Sequence, residues 1–264
     1  MGKQMMFLAG PCVIESMECL EAVAEKMVGV SERLNLDYYF KASWDKANRT
    51  AADKYRGPGL EKGLQMLSDI KEKYDVKIVT DFHESWQAKE VAKVADMIQI
   101  PAFLSRQTDM IQAAAETGLP VQIKKAQFMA PEDMKNVAEK MLYYGNDKIL
   151  LCDRGTCFGY HNLVVDMTGL AKMKKFGHKV LFDATHSVQL PGTGVNNSTM
   201  GDSVYVKELA MAACAFGIDG LFMEVHPNPQ EALCDAACML QIDEVENLLE
   251  KCIKIRNIAL EDIC

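Results

Sequence analysis

Cys12, His186, Glu224 and Asp235 offer a thiol, an imidazole and two carboxylates, donors that suit a borderline divalent ion such as Zn2+, Fe2+ or Mn2+. No local spacing signature ties them together, and an inert reading stays open in which Cys12 is a small buried hydrophobe and His186 a satisfied core residue. A second set is cationic: Lys41, Lys46, Arg49, Arg106, Lys124, Lys125 and Arg154. Brought close, these would repel unless an anion lay among them. Arg presents bidentate donors to phosphate or carboxylate and Lys adds point charge. So many cations exceed what one phosphate needs, which points to a doubly anionic ligand or two phosphorylated ones. Asp81-Phe82-His83-Glu84 supplies either a general base or the cap of a following helix.

The rest of the chain is acidic. Its 37 Asp and Glu against 29 Lys and Arg give a net charge of −8 over 264 residues, which argues against a nucleic-acid partner or an anionic membrane surface. No apolar run approaches the ~20 residues of a membrane span. The nine cysteines are odd in number and scattered, and no signal peptide precedes them; reduced thiols in a cytoplasm are expected. Cys152/Cys157 and Cys234/Cys238 lack a second matching pair and read as packing. The Gly- and Asn-rich stretch Pro191 to Ser203 reads as a mobile loop within one domain spanning residues 1–264.

Short apolar runs alternate with helical periods. Strands are expected at Met5–Ala9, Tyr38–Ala42, Val76–Thr80, Met97–Ile100, Val121–Ile123, Ile149–Leu151, Val180–Phe182 and Leu221–Met223. Helices are expected at Met17–Leu34, Gly59–Tyr74, Trp86–Ala95, Gln107–Thr117, Pro131–Tyr144, Asn162–Lys175, Val204–Phe216 and Glu244–Ala259. Eight units of about 33 residues fit an α/β fold of the (β/α)8 TIM-barrel type. An open doubly wound sheet shows the same alternation. The barrel is preferred because a residue fit for chemistry follows every strand, and only a closed barrel brings all eight strand ends to one mouth. Closure also makes strands one, seven and eight neighbours, so Cys12, His186, Glu224 and Asp235 could converge.

Seven collinear segments carry a specific resemblance. They are Gly10-Pro11-Cys12-Val13-Ile14-Glu15-Ser16, Phe40-Lys41-Ala42-Ser43, Lys46-Ala47-Asn48-Arg49-Thr50, Tyr55-Arg56-Gly57-Pro58-Gly59, Gln99-Ile100-Pro101-Ala102-Phe103-Leu104, Arg106-Gln107-Thr108-Asp109, and Cys152-Asp153-Arg154-Gly155 with its continuation to Met167. The chain resembles the 3-deoxy-D-manno-octulosonate 8-phosphate synthases over nearly its whole length. The related heptulosonate-phosphate synthases carry a Lys-Pro-Arg-Thr type of motif where this chain has Lys46-Ala47-Asn48-Arg49. The resemblance implies condensation of phosphoenolpyruvate with D-arabinose 5-phosphate and water, releasing phosphate, as a step towards lipopolysaccharide.

It also implies roles. Lys41, Ser43, Lys46, Gln99, Ala102, Lys124 and Arg154 match the phosphoenolpyruvate pocket, with Lys124 and Arg154 at the phosphate and Lys41 and Lys46 at the carboxylate. Asn48, Arg49 and Thr50 match a pentose-phosphate clamp that the family reaches from a neighbouring subunit, which implies a homotetramer. Lys46, Asp81, His83, Lys124 and His186 are the implied catalytic groups. Cys12 places the chain with the metal-dependent class, whose ligands match Cys12, His186, Glu224 and Asp235. Two segments depart from the family: 198–205 lacks an arginine usual between the seventh strand and helix, and Ala236 to Gln241 replaces a polar, proline-containing run, making Cys238 a conceivable alternative ligand. A heptulosonate-phosphate synthase using erythrose 4-phosphate, or a non-catalytic sugar-phosphate-binding barrel, are the competing readings.

Overall fold

The computed structural model describes residues 4–190 and 200–261. Eight parallel strands form one sheet: β1 (Met6–Gly10), β2 (Asp37–Lys41), β3 (Lys77–Asp81), β4 (Met97–Ile100), β5 (Val121–Lys124), β6 (Ile149–Asp153), β7 (Lys179–Asp183) and β8 (Gly220–His226). Each pairs with the next, and β1 pairs with β8, Gly10 lying opposite Glu224, so the sheet closes on itself. Parallel strands covered on both faces are apolar throughout; Phe7, Leu8 and Ala9 are all fully buried.

Eight helices surround the strands: α1 (Met17–Arg33), α2 (Leu60–Tyr74), α3 (Gln87–Val91), α4 (Thr108–Ala115), α5 (Met134–Tyr143), α6 (Met167–Lys174), α7 (Val206–Ala215) and α8 (Val245–Glu261). Ser16 caps α1, its Oγ accepting Cys19 N–H at 3.2 Å. No helix among the described residues is long and apolar enough to cross a membrane.

Side chains alternate across a strand with period two, and this sets the site. Inside the barrel Tyr39, Val79, Met97, Leu181 and Phe222 belong to one apolar plug. Two residues further along the same strands stand Lys41, Asp81, Gln99, Asp183 and Glu224, all buried. The plug fills the lower barrel and the polar layer lies above it, at the C-terminal mouth.

Three expectations need correction. The helix expected at Asn162–Lys175 starts at Met167, because Asp166 caps it through Thr168 N–H, and Leu163–Val164 instead forms a small antiparallel hairpin with Thr156–Cys157. The helix expected at Trp86–Ala95 shrinks to Gln87–Val91. Residues 191–199 of the expected loop lie outside the described residues, but Met200–Gly201 pairs antiparallel with Gln189–Leu190.

Candidate active site

The mouth holds a cavity of about 680 Å3. Lys41, Lys46, Lys124 and Arg154 reach it, as do Gln99 and Ala102. Asn48, Arg49 and Thr50 border it on the loop after β2, and Asp81, His83, His186 and Asp235 complete the predicted residues on its wall. Arg49 is held within its own chain, Nη2 donating to Leu233 O at 2.7 Å and Nε to Tyr55 O at 2.9 Å. The clamp segment therefore borders its own chain's cavity.

Ser43 stands one layer behind. Its Oγ accepts from Lys41 Nζ at 2.9 Å and donates to Asp81 Oδ2 at 3.0 Å. Lys125 faces away from the cavity, its ammonium 3.0 Å from Thr156 Oγ1 and surrounded by backbone carbonyls. Arg106 does not border the cavity either. The cationic mouth is thus smaller than the sequence suggested, and its floor is Lys41, Lys46, Lys124 and Arg154.

Glycine at position 10 sets the start of this layer. A methyl group there would come 1.9 Å from Lys41 O, so only glycine lets β1 pass so close to the end of β2. Immediately afterwards Ser43 N–H donates to Cys12 O at 3.1 Å and Ile14 N–H to Ser43 O at 2.9 Å. Those bonds fix Cys12 beneath the mouth.

The four expected metal donors do converge. Cys12 Sγ lies 3.1 Å from Asp235 Oδ2. His186 Nε2 is 3.6 Å from Glu224 Oε1 and 3.9 Å from Asp235 Oδ2. The ligand atoms of His186, Glu224 and Asp235 form one compact group, and those of Cys12, Cys234 and Asp235 another. His186 is oriented from behind: Nδ1 lies 2.7 Å from Asp183 Oδ2. An ionised carboxylate only accepts, so Nδ1 carries a proton and Nε2 is the ring nitrogen turned toward the other donors.

Glu224 tests whether these residues fit a cation. It is fully buried, and neither carboxylate oxygen has a hydrogen-bond partner. Its nearest charges are Lys41 and Lys46, each with Nζ 3.8 Å from Oε1. A buried carboxylate held by two ammonium groups at ion-pair distance but by no hydrogen bond keeps lone pairs that a further cation would satisfy, so the donor set fits a divalent ion. Burial, reinforced by Cys234, pushes the Cys12 thiol well above its usual pKa, and a cation is what would draw its proton off. Burial works against the charge on Lys46, yet Cys12 and Glu224 outweigh it and raise its pKa.

Cationic groups flank the donors. Lys124 Nζ is 2.6 Å from Asp183 Oδ2 and 3.1 Å from the centre of the Phe222 ring. Burial opposes ionisation of Asp183, but His186 and Lys124 hold its pKa far below the carboxylate range. Arg154 is buried; its Nη2 donates to Gln189 Oε1, while its buried Nη1 has no hydrogen-bond partner. Gln189 then donates from Nε2 to Asp235 Oδ1 at 2.6 Å. One amide thereby links the Arg154 guanidinium to the Asp235 carboxylate.

Asp183 was legible in the sequence as a residue fit for chemistry at the end of its strand, and its place two beyond inward Leu181 signals its role; two other contributors were missed. Gln189 carries no signal at all. Cys234 was set aside as packing, yet it adjoins Asp235, whose left-handed backbone (φ 49°) turns both side chains toward the donors. Cys238, the conceivable alternative ligand, belongs to neither compact donor group; its Sγ packs against the Met200–Gly201 strand, where a methyl on Gly201 would come 2.0 Å from it.

Comparison with known proteins agrees with this geometry. Residues 1–261 match the model of the DAHP synthetase I family. A 2-dehydro-3-deoxyphosphooctonate aldolase from Fusobacterium nucleatum is 54% identical over 257 residues, covering 97% of this chain and 92% of that protein. A protein of the same name from Helicobacter hepaticus is 52% identical over 266 residues, covering 97% and 98%. Another from Desulfotalea psychrophila is 49% identical over 255 residues, covering 97% and 91%. With the barrel, the cationic floor and the donor cluster all in place, the chain belongs to the DAHP synthetase I family.

Proposed function

We propose that this enzyme condenses phosphoenolpyruvate with D-arabinose 5-phosphate and water to give 3-deoxy-D-manno-octulosonate 8-phosphate and inorganic phosphate. The observation that carries the reading is one cavity with two separate groups of anion-binding residues, Lys124 and Arg154 on its floor and Asn48 to Thr50 on its rim, with the donor cluster at its wall. The relatives' name, 2-dehydro-3-deoxyphosphooctonate aldolase, gives the eight-carbon phosphorylated keto acid, and phosphoenolpyruvate and arabinose 5-phosphate are the two substrates that the resemblance implies for it.

Arg154 Nη1 and Lys124 hold the phosphate of phosphoenolpyruvate, and Lys41 and Lys46 face its carboxylate, with Gln99 and Ala102 lining the same wall. Asn48, Arg49 and Thr50 grip the pentose phosphate, placing the aldehyde over the enol carbon C3. The new bond joins C3 to the aldehyde carbon, water adds at C2, and the C2–O bond breaks as phosphate leaves. Charge develops on the aldehyde oxygen or at C2 during these steps, and fixed charges already pointing there cost no reorganisation. Lys124 and Arg154 neutralise the leaving phosphate.

Proton movement falls to His83, while Lys46, kept protonated by the negative charge around it, supplies a fixed positive charge. His83 Nε2 donates to Asp45 O at 2.9 Å, which leaves Nδ1 free to accept a proton. Asp81 is a poor base, since its pKa is held low, and serves as the counter-charge of Lys41 and Lys46. Cys12, His186, Glu224 and Asp235 would hold a divalent ion, which supplies Lewis-acid polarisation and fixes an oxygen in position. Its identity lies among Zn2+, Fe2+ and Mn2+.

The assembly is read as a cytoplasmic homotetramer. Phe128, Phe158 and Tyr160 are 62%, 70% and 97% exposed around the 156–164 hairpin, an apolar patch suited to a second copy. None of the eight described cysteines is disulfide-bonded, which suits a reducing compartment.

Phosphate release with phosphoenolpyruvate plus either arabinose 5-phosphate or erythrose 4-phosphate tests the reaction. Turnover is expected with the pentose phosphate, lost after prolonged EDTA treatment and restored by a divalent ion. Faster turnover of the four-carbon sugar, or silence with both, overturns the reading; full activity after stripping overturns its metal component.

A further inference from the structure

Cys234 has no part in the ligand set above, yet it stands beside it. Its Sγ is 3.1 Å from Asp235 Oδ2, the same oxygen that Cys12 Sγ approaches at 3.1 Å. The two sulfurs and the carboxylate oxygen all lie within 4.8 Å of one another. Two thiolates in adjacent positions on one five-coordinate ion sit roughly 3.3–4.0 Å apart, given metal–sulfur bonds of ~2.3 Å, so both thiols can meet a common ion after only a small inward movement.

The backbone leaves Cys234 little freedom to be elsewhere. Leu233 N–H donates to Glu15 Oε1 at 2.8 Å, Leu233 O accepts from Arg49, and Asp235 is fixed in the left-handed region. Cys234 is 6% exposed and packs with Cys12, Val13 and Met239 in a small apolar cluster. Water is thereby kept from both thiols, which favours a thiolate bound to a metal over one that is merely solvated. The positive charge of Lys46, at the edge of the same cluster, offsets the additional anion.

We infer that Cys234 is a second thiolate donor to the ion held by Cys12, His186, Glu224 and Asp235, making the centre a two-sulfur site. The inference rests on the metal reading given above. Its chemical consequence is a preference for thiophilic ions, Zn2+ or Cd2+ over Mn2+, beyond what one thiolate and three nitrogen or oxygen donors would give.

Cobalt reports directly on sulfur ligation. Full-length protein is stripped, kept reduced to prevent a Cys12–Cys234 disulfide, and titrated with Co2+ to saturation; near-ultraviolet thiolate-to-cobalt charge transfer is then measured per bound ion. Intensity in Cys234→Ser and Cys12→Ser is expected at about half that of the parent, with Cys238→Ser unchanged. Cys234→Ala repeats the measurement, and circular dichroism verifies the fold of each variant. Parent intensity in both folded Cys234 variants overturns the inference and leaves the metal centre standing. Absence of any thiolate band in the saturated parent overturns the metal centre itself, and the inference with it.

Discussion

Asp183 Oδ2 holds His186 by Nδ1 at 2.7 Å, and this contact decides which ring nitrogen is free to face Glu224 and Asp235. The same oxygen lies 2.6 Å from Lys124 Nζ. One buried carboxylate therefore orients the His186 imidazole and the Lys124 ammonium together.

Asp183→Asn removes the charge that both groups depend on. Affinity for Zn2+ should fall by roughly 10–100-fold, the usual cost of losing such a support, and the Michaelis constant for phosphoenolpyruvate should rise as Lys124 is released. Competition against a chromophoric chelator measures the first effect. Unchanged affinity would remove Asp183 from the centre.

Gln189 makes a related prediction by a different route. Its oxygen accepts from Arg154 and its nitrogen donates to Asp235. Gln189→Ala should weaken phosphoenolpyruvate binding by about tenfold, the loss expected from freeing one charge-assisted hydrogen bond. It should also loosen the metal. If steady-state kinetics and metal titration show only one of the two effects, the amide is not the link between them.

Arg49 separates the two anion sites. Arg49→Ala should raise the Michaelis constant for arabinose 5-phosphate by roughly 10–100-fold, corresponding to one strong charged contact, while that for phosphoenolpyruvate stays within about twofold. Equal increases for both substrates would mean that rim and floor have been assigned the wrong way round.

Asp81 should leave a mark on acid stability. Burial draws its pKa up, but Lys41, His83 and Lys46, with the Ser43 hydrogen bond, outweigh burial and bring it down from 3.8 to about 2. A depressed carboxylate contributes stability that is complete above its unfolded pKa and is lost as pH falls through the folded one. The contribution is about 2 kcal/mol, disappearing between roughly pH 4 and pH 2. Urea melts of metal-free protein should show the parent losing more stability across that window than Asp81→Asn. Parallel acid limbs would contradict the assignment.

Much of this architecture was legible because barrels couple chemistry to periodicity. An apolar strand whose last inward residue is polar, as Leu181 then Asp183 or Phe222 then Glu224, announces both the plug and the mouth. The hairpin at 156–164 was not legible, since Leu163, Val164, Val165 and Met167 carry a helical run of apolar side chains across the Asp166 cap. Lys125 and Arg106 misled for a plainer reason: residue type says nothing about direction, and Lys125 follows inward Lys124 on the opposite face of the chain. Cys234 was hidden by the opposite problem. Its position depends on the left-handed turn at Asp235, which ordinary sequence signals assign to glycine or asparagine.

The pairing of Gly10 with Glu224 places the metal donors across the seam where the first and last strands of the barrel join. Cys12 comes from one side of that seam, and Glu224 and Asp235 come from the other. A chain emerging from a ribosome cannot assemble this donor set until its C-terminal strand has docked against its N-terminal one. Ion capture in the mature geometry thus reports that the ring has closed, and a bound ion would fasten the circle at the joint between the chain's two ends.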